Sequence, residues 1–510
     1  MELSECLVPG LCFLLTLICF HKLIVKRNKM LPPGPPGLPI IGHLHLMKSP
    51  IHRSLQKLTE KYGKVMFLRF GTLKVLVISS PSAVEECFTK NDVVFANRPR
   101  TLAGKYLNYN YTTIGFAPYG DHWRALRRLT SQELFSLSRL ATLASARVDE
   151  VRLLLKQLFD KSEGKWTQVE LRQRFINLVF DVTLRMISGK RYYGTDVVSQ
   201  EAQEFKSLMD DVFELLNPCV NDLFPVLQRI DFLGMEKKMR KVMKKLDNFV
   251  QNLLEEHRTK RSSSSTEVKD MTMIDVMLSL QESDPKFCTD ETIKGVTMAV
   301  LAAGTETSAT TMEWALANLL NHPEAMNKVK AEIDSHVGQE RLLEESDIPK
   351  LTYLQNIILE TLRLYPAGAL GVPHVSSKDC TVSGYHVPKG TMLMVNLWAL
   401  HRDPKNWVEP TRFMPERFEK NNGQGAGGEA YNMVPFGAGR RQCPGANLAQ
   451  RIMAFTLGSL IQCFEWKKPN EDKQLNMDEG DGLTLPRLEP LVALIRPRQQ
   501  ITPLLANLSA

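Results

Sequence analysis

The sequence of 510 residues contains no C-x-x-C pair and no internal repeat. Its nine cysteines are dispersed along the chain, and their number is odd. Disulfide frameworks and structural zinc sites both require cysteines in pairs or at short spacings, so neither is expected here. The pattern instead predicts reduced thiols on the cytosolic side of a membrane.

The chain also lacks a clustered basic segment and a dinucleotide-binding fingerprint. Its 64 Lys and Arg against 56 Asp and Glu give a net charge of +8, spread along the sequence. Nucleic-acid binding is therefore disfavoured, although an acidic partner or an anionic membrane would be attracted. No G-x-G-x-x-G motif precedes a predicted helix, so any electrons that the chain uses must come from another protein. With 43% hydrophobic and 24% charged residues, the chain is globular and not disordered.

The N-terminus carries a long apolar run. Residues 6–25 are apolar but for two positions, which matches the roughly 20 residues that a membrane-spanning helix needs. Lys26, Arg27 and Lys29 follow the run, whereas a cleaved signal peptide has its positive charges before it and a small-residue cleavage site after it. We therefore expect a single-pass anchor in residues 1–30, with the rest of the chain on the cytoplasmic side.

The organisation after the anchor follows from proline content and periodicity. Proline fixes φ and removes a backbone donor, so residues 31–42 predict a semi-rigid hinge that sets the angle of the catalytic domain, residues 43–510, to the membrane. Apolar residues in that domain recur mostly at spacings of three and four, which predicts a mainly helical α+β fold with small sheets. We expect helices over residues 140–159, 235–254 and 291–320, a hairpin over 65–78, short strands near 381–395 and a surface loop over 256–270.

The strongest chemical signal is the segment FGAGRRQCPG at residues 436–445. Its glycines let the backbone wrap closely round the sulfur of Cys443, and the apolar helical stretch that follows places this sulfur just before a helix N-terminus. A thiolate that ligates a cationic metal must be deprotonated, held by backbone donors and shielded from water. Arg441 can pair with an anionic cofactor group, and Phe436 can cover one side of its ring. For a lone G-x-x-C, the alternative is a Gly-rich turn that contains a buried cysteine.

A second motif, AGTETS at residues 303–308, interrupts the long apolar helix. A glycine and a buried acid both destabilise a helix unless something compensates for them. Gly304 allows a close approach to the helix backbone, and the hydroxyl of Thr307 can divert a backbone hydrogen bond and open a local groove. A simple helix bend is the alternative interpretation.

The remaining motifs are pairs at the spacing of one helical turn. Glu360 and Arg363 lie at i and i+3 on one predicted helix face, and the segment PERF at residues 415–418 precedes the cysteine segment. Trp123 and Arg127 present an indole N–H and a guanidinium that suit carboxylates. Each pair alone is a weak signal, because such spacings are common on exposed helices.

Together these motifs resemble the cytochrome P450 family of haem-thiolate monooxygenases, along essentially the whole chain. The resemblance implies a haem that lies between the long distal helix and the cysteine loop, with Cys443 as the metal ligand and dioxygen as the co-substrate. It also implies that Thr307 and Glu306 supply the protons that O–O cleavage consumes. The proline hinge, the distal motif and the segment PERF resemble plant microsomal members of the family. The segments MEWA at residues 312–315, NHPE at 321–324 and LTYLQN at 351–356 most resemble the group that hydroxylates isoflavonoids, lignans, indole glucosinolates and some terpenoids. Residues 367–371 read AGALG, and their side chains are smaller than those of the aliphatic stretch at the same place in that group. This difference from the group affects which substrate the pocket would accept.

Further residues are assigned by the resemblance alone. Glu360, Arg363 and Arg417 would form a buried structural network, and the loss of one partner would cost roughly 3–5 kcal/mol. The haem contacts would be Trp123, Arg127, His374, Phe436, Gly439, Arg441, Cys443 and Gly445. The apolar pocket would be lined by Tyr106, Leu107, Tyr109, Phe213, Val300, Ala303, Ala367, Leu370 and Leu485.

The predicted function is a membrane-bound monooxygenase that hydroxylates or oxidatively bridges a small lipophilic plant metabolite, such as a flavonoid or isoflavonoid, a lignan or a diterpenoid. Electrons would come from NADPH through NADPH–cytochrome P450 reductase, with cytochrome b5 as a second donor. An acidic reductase would dock on the basic cysteine-side face around Arg440. We expect the chain in the endoplasmic reticulum membrane. Two alternatives are an oxygen-independent haem-thiolate isomerase or dehydratase, which needs no proton relay, and a non-enzymatic haem sensor or carrier.

Overall fold

The structure is a computed structural model that describes residue 16 and residues 31–192, 200–224, 226–227, 231, 233–263, 271–419 and 431–508. The predicted anchor in residues 1–30 lies, apart from residue 16, outside the described residues. Within the described ranges, no helix is both long enough and apolar enough to cross a membrane.

Helices dominate the fold, and the strands are short and lie between residues 65 and 78, at 167–170 and between 374 and 497. In chain order the elements are α1 (Ile51–Tyr62), β1 (Val65–Phe70), β2 (Leu73–Ile78), α2 (Pro81–Phe88), α3 (Leu102–Tyr106), α4 (Asp121–Arg128), α5 (Leu137–Thr142), α6 (Ala144–Ser162), β3 (Thr167–Glu170), α7 (Arg172–Ser188), α8 (Gln200–Leu216), α9 (Val220–Leu223), α10 (Met235–Ser263), α11 (Met273–Ser283), α12 (Asp290–Asn321), α13 (Pro323–His336), α14 (Thr352–Leu364), β4 (His374–Val375), β5 (Cys380–Val382), β6 (Tyr385–Val387), β7 (Met392–Val395), α15 (Leu397–Leu400), α16 (Ala446–Cys463), β8 (Phe464–Lys467), β9 (Val492–Pro497) and α17 (Thr502–Ala506).

The described strands form three small sheets. β1 and β2 make the predicted hairpin, which continues into a four-stranded sheet of order β1-β2-β7-β4, where only the pair β2 and β7 is parallel. The second sheet has the strand order β3-β9-β8, and the third consists of β5 and β6. All strand pairs in these two sheets are antiparallel. The hinge lies along the first sheet, since the Phe67 amide donates to the Pro33 carbonyl at 3.0 Å. The prediction of a mainly helical chain with small sheets is confirmed.

Helix α12 forms the centre of the fold. The side chain of Thr289 accepts a hydrogen bond from the Thr292 amide and so caps the N-terminus. Residues 308–320 are all buried, and the helix packs against α7, α14 and α16, so this half of the helix is enclosed on every side. The helix ends at Asn321, because Pro323 begins α13 and cannot continue the hydrogen-bond ladder. The prediction of a long helix here is confirmed.

Two boundaries differ from the prediction. The helix expected over residues 140–159 is divided between α5 and α6, which meet at Leu143. The loop expected over residues 256–270 is wrong for its first half, because α10 continues to Ser263. Arg258 forms an ion pair with Asp290 of α12 at 2.5 Å, and Arg261 forms one with Glu282 of α11 at 2.9 Å. These tertiary contacts stabilise a polar stretch whose local pattern indicates a loop.

Candidate active site

The cysteine loop is closed by its own backbone. The Cys443 amide donates to the Phe436 carbonyl at 2.9 Å, and Gly437 and Gly439 have φ of 73° and 66°, which favour glycine. At Gly439 a Cβ atom would also lie 2.5 Å from a carboxylate oxygen of Asp92, so no larger residue fits. The loop leads directly into α16, whose N-cap is Gly445.

The side chain of Cys443 is solvent-accessible although the loop encloses it. Burial raises the pKa of its thiol, while the Gly445 amide and the charge of Arg127 lower it. A side chain that is both accessible and desolvated faces a cavity inside the protein and not the outer surface. In such surroundings a bound metal cation is what favours the thiolate over the thiol.

Four basic side chains, one from this loop and three from distant parts of the chain, lie in and beside the loop. Three are arginines, Arg98, Arg127 and Arg441, and the fourth is His374. All four side chains contact main-chain carbonyls. Arg441 donates to the carbonyls of Ala96 at 2.7 Å, Ile114 at 3.1 Å and Ala117, and Arg127 donates to that of Gln442 at 2.6 Å. Arg98 donates to the carbonyls of Val372 and Pro373 at 2.8 Å each, and the His374 ring contacts that of Phe95 at 2.8 Å.

The cluster has positive charge without a matching negative charge. Among the described residues no carboxylate forms an ion pair with Arg98, Arg127 or Arg441, and Nε of Arg98 is buried without a partner. Burial and the charge of Arg441 lower the pKa of Arg98 to about 9, and burial lowers that of Arg441 to about 10. Unpaired buried cations are unfavourable, and an anion bound there would offset the cost. These residues therefore fit haem, whose propionate side chains are carboxylates.

Arg98 is a member of this cluster that the sequence interpretation missed. The available signal was a cation at the end of the buried run from Val94 to Ala96, which needs a partner. Trp123 was predicted to donate to a carboxylate, and in this structure its indole N–H donates to the Ile114 carbonyl at 3.2 Å. The guanidinium of Arg441 also lies over the Trp123 ring, 4.6 Å from the ring centroid, in a cation–π contact. Trp123 thus supports both the loop around Ile114 and the basic cluster.

The distal motif combines a hydroxyl, a carboxyl group and an accessible small residue. Thr307 Oγ1 donates to the Ala303 carbonyl at 2.8 Å, so the hydroxyl bonds to the helix backbone one turn earlier. Ala303 is exposed in the middle of α12, so the helix faces a cavity there. Gly304 lies instead against α7, where a Cβ atom would be 3.6 Å from the Thr183 hydroxyl.

Glu306 is held by one hydrogen bond and is otherwise desolvated. Thr484 Oγ1 donates to its Oε1 at 2.9 Å, while its Oε2 is buried and has no partner among the residues that the structure describes. Burial raises the pKa of Glu306, and the charge of Asp210 raises it further, against the lowering effects of Thr484 and Arg172. A carboxyl group desolvated in this way is protonated more readily than an exposed one, which suits a group that takes up and passes on protons.

The predicted charge network is assembled away from the cysteine loop. Arg363 donates to the two carboxylate oxygens of Glu360 at 2.7 and 2.8 Å, and Arg417 donates to Oε1 at 3.0 Å. All three side chains are 0% exposed. The remaining guanidinium donors contact main-chain carbonyls, including those of His401 and Val408. Every charge in the network therefore has partners, as a buried ion pair requires.

The predicted pocket residues occupy several environments. Leu485 and Ala367 are joined by a backbone hydrogen bond of 2.9 Å. Tyr106 and Tyr109 contact α10, where Arg240 lies 4.5 Å from the Tyr106 ring and Asp247 accepts from the Tyr109 hydroxyl. The others lie elsewhere: Leu107 is buried, Leu370 packs on the first sheet, Val300 and Ala303 lie on α12, and Phe213 of α8 lines a cavity of about 50 Å³. Val372 is 65% exposed beside Arg98 and is a further candidate for the cavity wall.

Comparisons with known proteins agree with this geometry. A family model described as cytochrome P450 matches residues 32–494. Cytochrome P450 81Q32 of Catharanthus roseus is 52% identical, over 93% of both chains. Isoflavone 2'-hydroxylase of Glycyrrhiza echinata is 48% identical, over 96% of this chain and 97% of its own, and (+)-piperitol/(+)-sesamin synthase of Sesamum radiatum is 46% identical, over 94% and 93%. A solved zebrafish cytochrome P450 structure with progesterone superposes with a TM-score of 0.76 at 26% identity, covering 88% of this chain and 100% of that one.

Proposed function

The chain belongs to the cytochrome P450 family and is a monooxygenase that uses haem and dioxygen, and from this premise we propose that it hydroxylates or oxidatively bridges a small lipophilic plant specialised metabolite. The observation that carries the proposal is the accessible Cys443, enclosed in a glycine loop beside a basic cluster whose arginines have no carboxylate partner within the described ranges. When bound there, the haem iron supplies the one-electron and dioxygen chemistry of the reaction.

The chain's own residues would hold the cofactor by charge and by backbone donors. Cys443 would be the thiolate ligand, with the Gly445 amide as one of its hydrogen-bond donors. Arg98, Arg127 and Arg441 would bind the propionates, because each is desolvated and has no carboxylate partner in the described part of the chain. Of the other predicted contacts, His374 carries a ring whose pKa burial holds well below its usual value, so it would act as a neutral donor or acceptor.

Proton delivery is the second task that this chain would perform. Cleavage of the bond in dioxygen consumes protons, and the distal helix offers the Thr307 hydroxyl and the Glu306 carboxyl group in neighbouring positions. Glu306 would take a proton from solvent at its free Oε2 and return it toward Thr307. An oxygen-independent isomerase or a haem sensor would have no use for this pair.

The substrate class rests on the relatives. Isoflavone 2'-hydroxylase and (+)-piperitol/(+)-sesamin synthase bear names that point to isoflavone and lignan chemistry. For this chain we therefore propose an isoflavonoid, a flavonoid, a lignan or a diterpenoid, bound near Ala303, Ala367 and Leu485. The sparse polar groups at these positions suit a lipophilic molecule.

A screen with the full-length protein in microsomes tests the proposal. The chain is expressed with NADPH–cytochrome P450 reductase, with and without cytochrome b5, and is supplied with members of the four classes. We expect NADPH-dependent and oxygen-dependent formation of a product heavier by one oxygen atom, or lighter by two hydrogen atoms for a bridged product. Turnover without oxygen or NADPH would contradict the proposal and favour an isomerase.

Membrane attachment is supported by an exposed apolar surface near the hinge. Ile40 and Val226 are each 75% exposed, and Leu233 is 53% exposed. The tip of the β1-β2 hairpin lies between the segments that contain Ile40 and Val226. The Gly71 amide donates to the Ile41 carbonyl at 3.1 Å, and the Thr72 amide donates to the Leu223 carbonyl at 3.2 Å. We propose that this surface rests on the endoplasmic reticulum membrane beside the anchor in residues 1–30, with the catalytic domain in the cytoplasm.

A flotation assay tests this arrangement. Protein that lacks residues 1–30 should still float with liposomes, and Ile40→Asp combined with Val226→Asp should abolish the binding. Flotation of the doubly substituted protein at the unchanged level would refute the apolar surface, though not the anchor.

A further inference from the structure

Thr484 and Glu306 are 178 residues apart in the sequence and meet through one hydrogen bond. Thr484 lies in the loop between β8 and β9, is 8% exposed, and donates from Oγ1 to Oε1 of Glu306 at 2.9 Å. The other carboxylate oxygen of Glu306 is buried, and no group in the described part of the chain forms a hydrogen bond with it. A buried carboxyl group with one oxygen held and one free has a fixed orientation and a single reactive end.

The charged groups around Glu306 do not hold it. Arg172 of α7 faces it, but Nε of this arginine forms an ion pair with Glu313 at 3.0 Å. Asp210 of α8 faces it from the other helix and repels its negative charge. The Thr484 hydroxyl is thus the one hydrogen-bond donor to Glu306 that the described ranges contain.

The loop that carries Thr484 is itself fixed. The next residue, Leu485, donates its amide to the Ala367 carbonyl at 2.9 Å and accepts at its own carbonyl from the Trp314 indole at 2.7 Å. Trp314 is 0% exposed and stacks on Tyr365 with ring centroids 3.8 Å apart. The hydroxyl is therefore presented from a rigid support, as pre-organisation of a site requires.

We propose that Thr484 is a positioning residue that holds Oε1 of Glu306, so that Oε2 alone exchanges protons between solvent and the distal side of the active site. The inference rests on the relay proposed for Glu306 and goes beyond it by naming the group that orients the carboxyl. Beside α12, a cavity of about 50 Å³ is lined by Thr305, which precedes Glu306, by Asp210 and Asn177, and by several apolar side chains, and this space would hold the water that supplies the proton. That volume suffices for water, which needs about 10–15 Å³.

The experiment compares Thr484→Val with Thr484→Ser in the haem-loaded, full-length protein. Valine keeps the shape and removes the donor, whereas serine keeps the donor. Thr456→Val is the matched control, because the Thr456 hydroxyl is also buried but has no partner. Infrared difference spectroscopy follows the protonated carboxyl band that Glu306→Gln removes, and turnover assays give the fraction of consumed NADPH that appears as product.

We expect Thr484→Val to raise the midpoint at which this carboxyl band titrates, because the lost hydrogen bond favours the charged form. The product fraction should fall roughly 3- to 30-fold, less than the roughly 100-fold loss expected for Glu306→Gln. Thr484→Ser and Thr456→Val should match the wild type in both measurements. If Thr484→Val does not retain haem, Thr484→Ala removes the same donor with a smaller side chain.

Two results would overturn the inference, and they differ from failure of the relay itself. An unchanged titration and product fraction in Thr484→Val, with a large effect of Glu306→Gln, would refute the positioning role alone. An unchanged product fraction in Glu306→Gln would refute the relay. A loss in Thr484→Ser as large as that in Thr484→Val would mean that packing, and not the hydroxyl, matters at this position.

Discussion

Substitution of Glu360 by glutamine tests the physical role of the buried charge network. Glu360 accepts three guanidinium hydrogen bonds, of 2.7, 2.8 and 3.0 Å, and it is the one negative charge between Arg363 and Arg417. All three side chains are fully buried. Glu360→Gln leaves two adjacent guanidinium groups without a counter-charge, which costs more than the loss of one hydrogen bond.

The expected loss is about 3–5 kcal/mol, the range for breaking a buried ion pair. Unfolding entropy of about 2.1 cal/mol/K per residue, taken over roughly 500 residues, converts this to a fall in Tm of about 3–5 °C. Arg417→Met should cost less, because Glu360 then keeps both bonds from Arg363. Differential scanning calorimetry at one scan rate measures the change, and the yield of haem-loaded protein should fall with it.

Glu409→Gln is the matched control. Glu409 pairs with Arg412 at the same i, i+3 spacing, but both side chains are more than half exposed, at 52% and 63%. Exposed pairs contribute about 0–1 kcal/mol, so this variant should change Tm by less than about 1 °C. The reasoning is refuted if Glu360→Gln and Glu409→Gln have the same Tm, or if Arg417→Met is the more damaging of the two network variants.

Three further predictions follow from other charged groups. Arg98→Leu should stabilise the haem-free protein, because it removes a buried guanidinium without a carboxylate partner, and it should weaken haem retention. A calorimetric Tm that moves in the same direction in the haem-free and the haem-loaded protein would contradict this. Although burial alone would raise the pKa of Glu479, hydrogen bonds from His52 and Trp398 lower it to about 2. Glu479 therefore contributes about 3 kcal/mol to the free energy of unfolding above pH 4.5, and this contribution is lost as the pH falls toward 2. In urea titrations, the difference in unfolding free energy between the wild type and Glu479→Gln should shrink over that range. The proposed docking of an acidic reductase around Arg440 predicts that the KM for reductase rises with ionic strength. The rise should be less steep than for an unpaired cation, because Arg440 forms an ion pair with Asp92 at 3.1 Å. A KM that does not change with salt would rule out docking at this face.

Local patterns predicted the elements that depend on local contacts. The hairpin over β1 and β2 follows from two β-branched apolar runs separated by Gly71 and Thr72, and the long helix α12 follows from three-and-four spacing; both are present. The break at Leu143 and the extension of α10 to Ser263 depend on tertiary packing and ion pairs, which no periodicity contains. The cysteine loop was recognisable because its glycines and its sulfur lie within ten residues.

Contacts between distant residues were out of reach of the sequence. Arg98 lies near a loop that follows more than 300 residues later, and its nearest signal was a cation after a buried run. Thr484 meets Glu306 across 178 residues, and no motif joins the two. Tyr106 and Tyr109 belong to a segment assigned to the pocket, yet their side chains contact α10 because Arg240 and Asp247 attract them.

The central claim is that the thiolate of Cys443 holds the haem iron. The most direct measurement is the absorption spectrum of the reduced, carbon-monoxide-bound protein, for the wild type and for Cys443→Ala. We predict that the wild type shows the red-shifted Soret band typical of thiolate-ligated haem and that Cys443→Ala shows neither this band nor turnover. A wild type that stays colourless after haem is supplied, or a Cys443→Ala variant with an unchanged Soret band and turnover, would contradict the account.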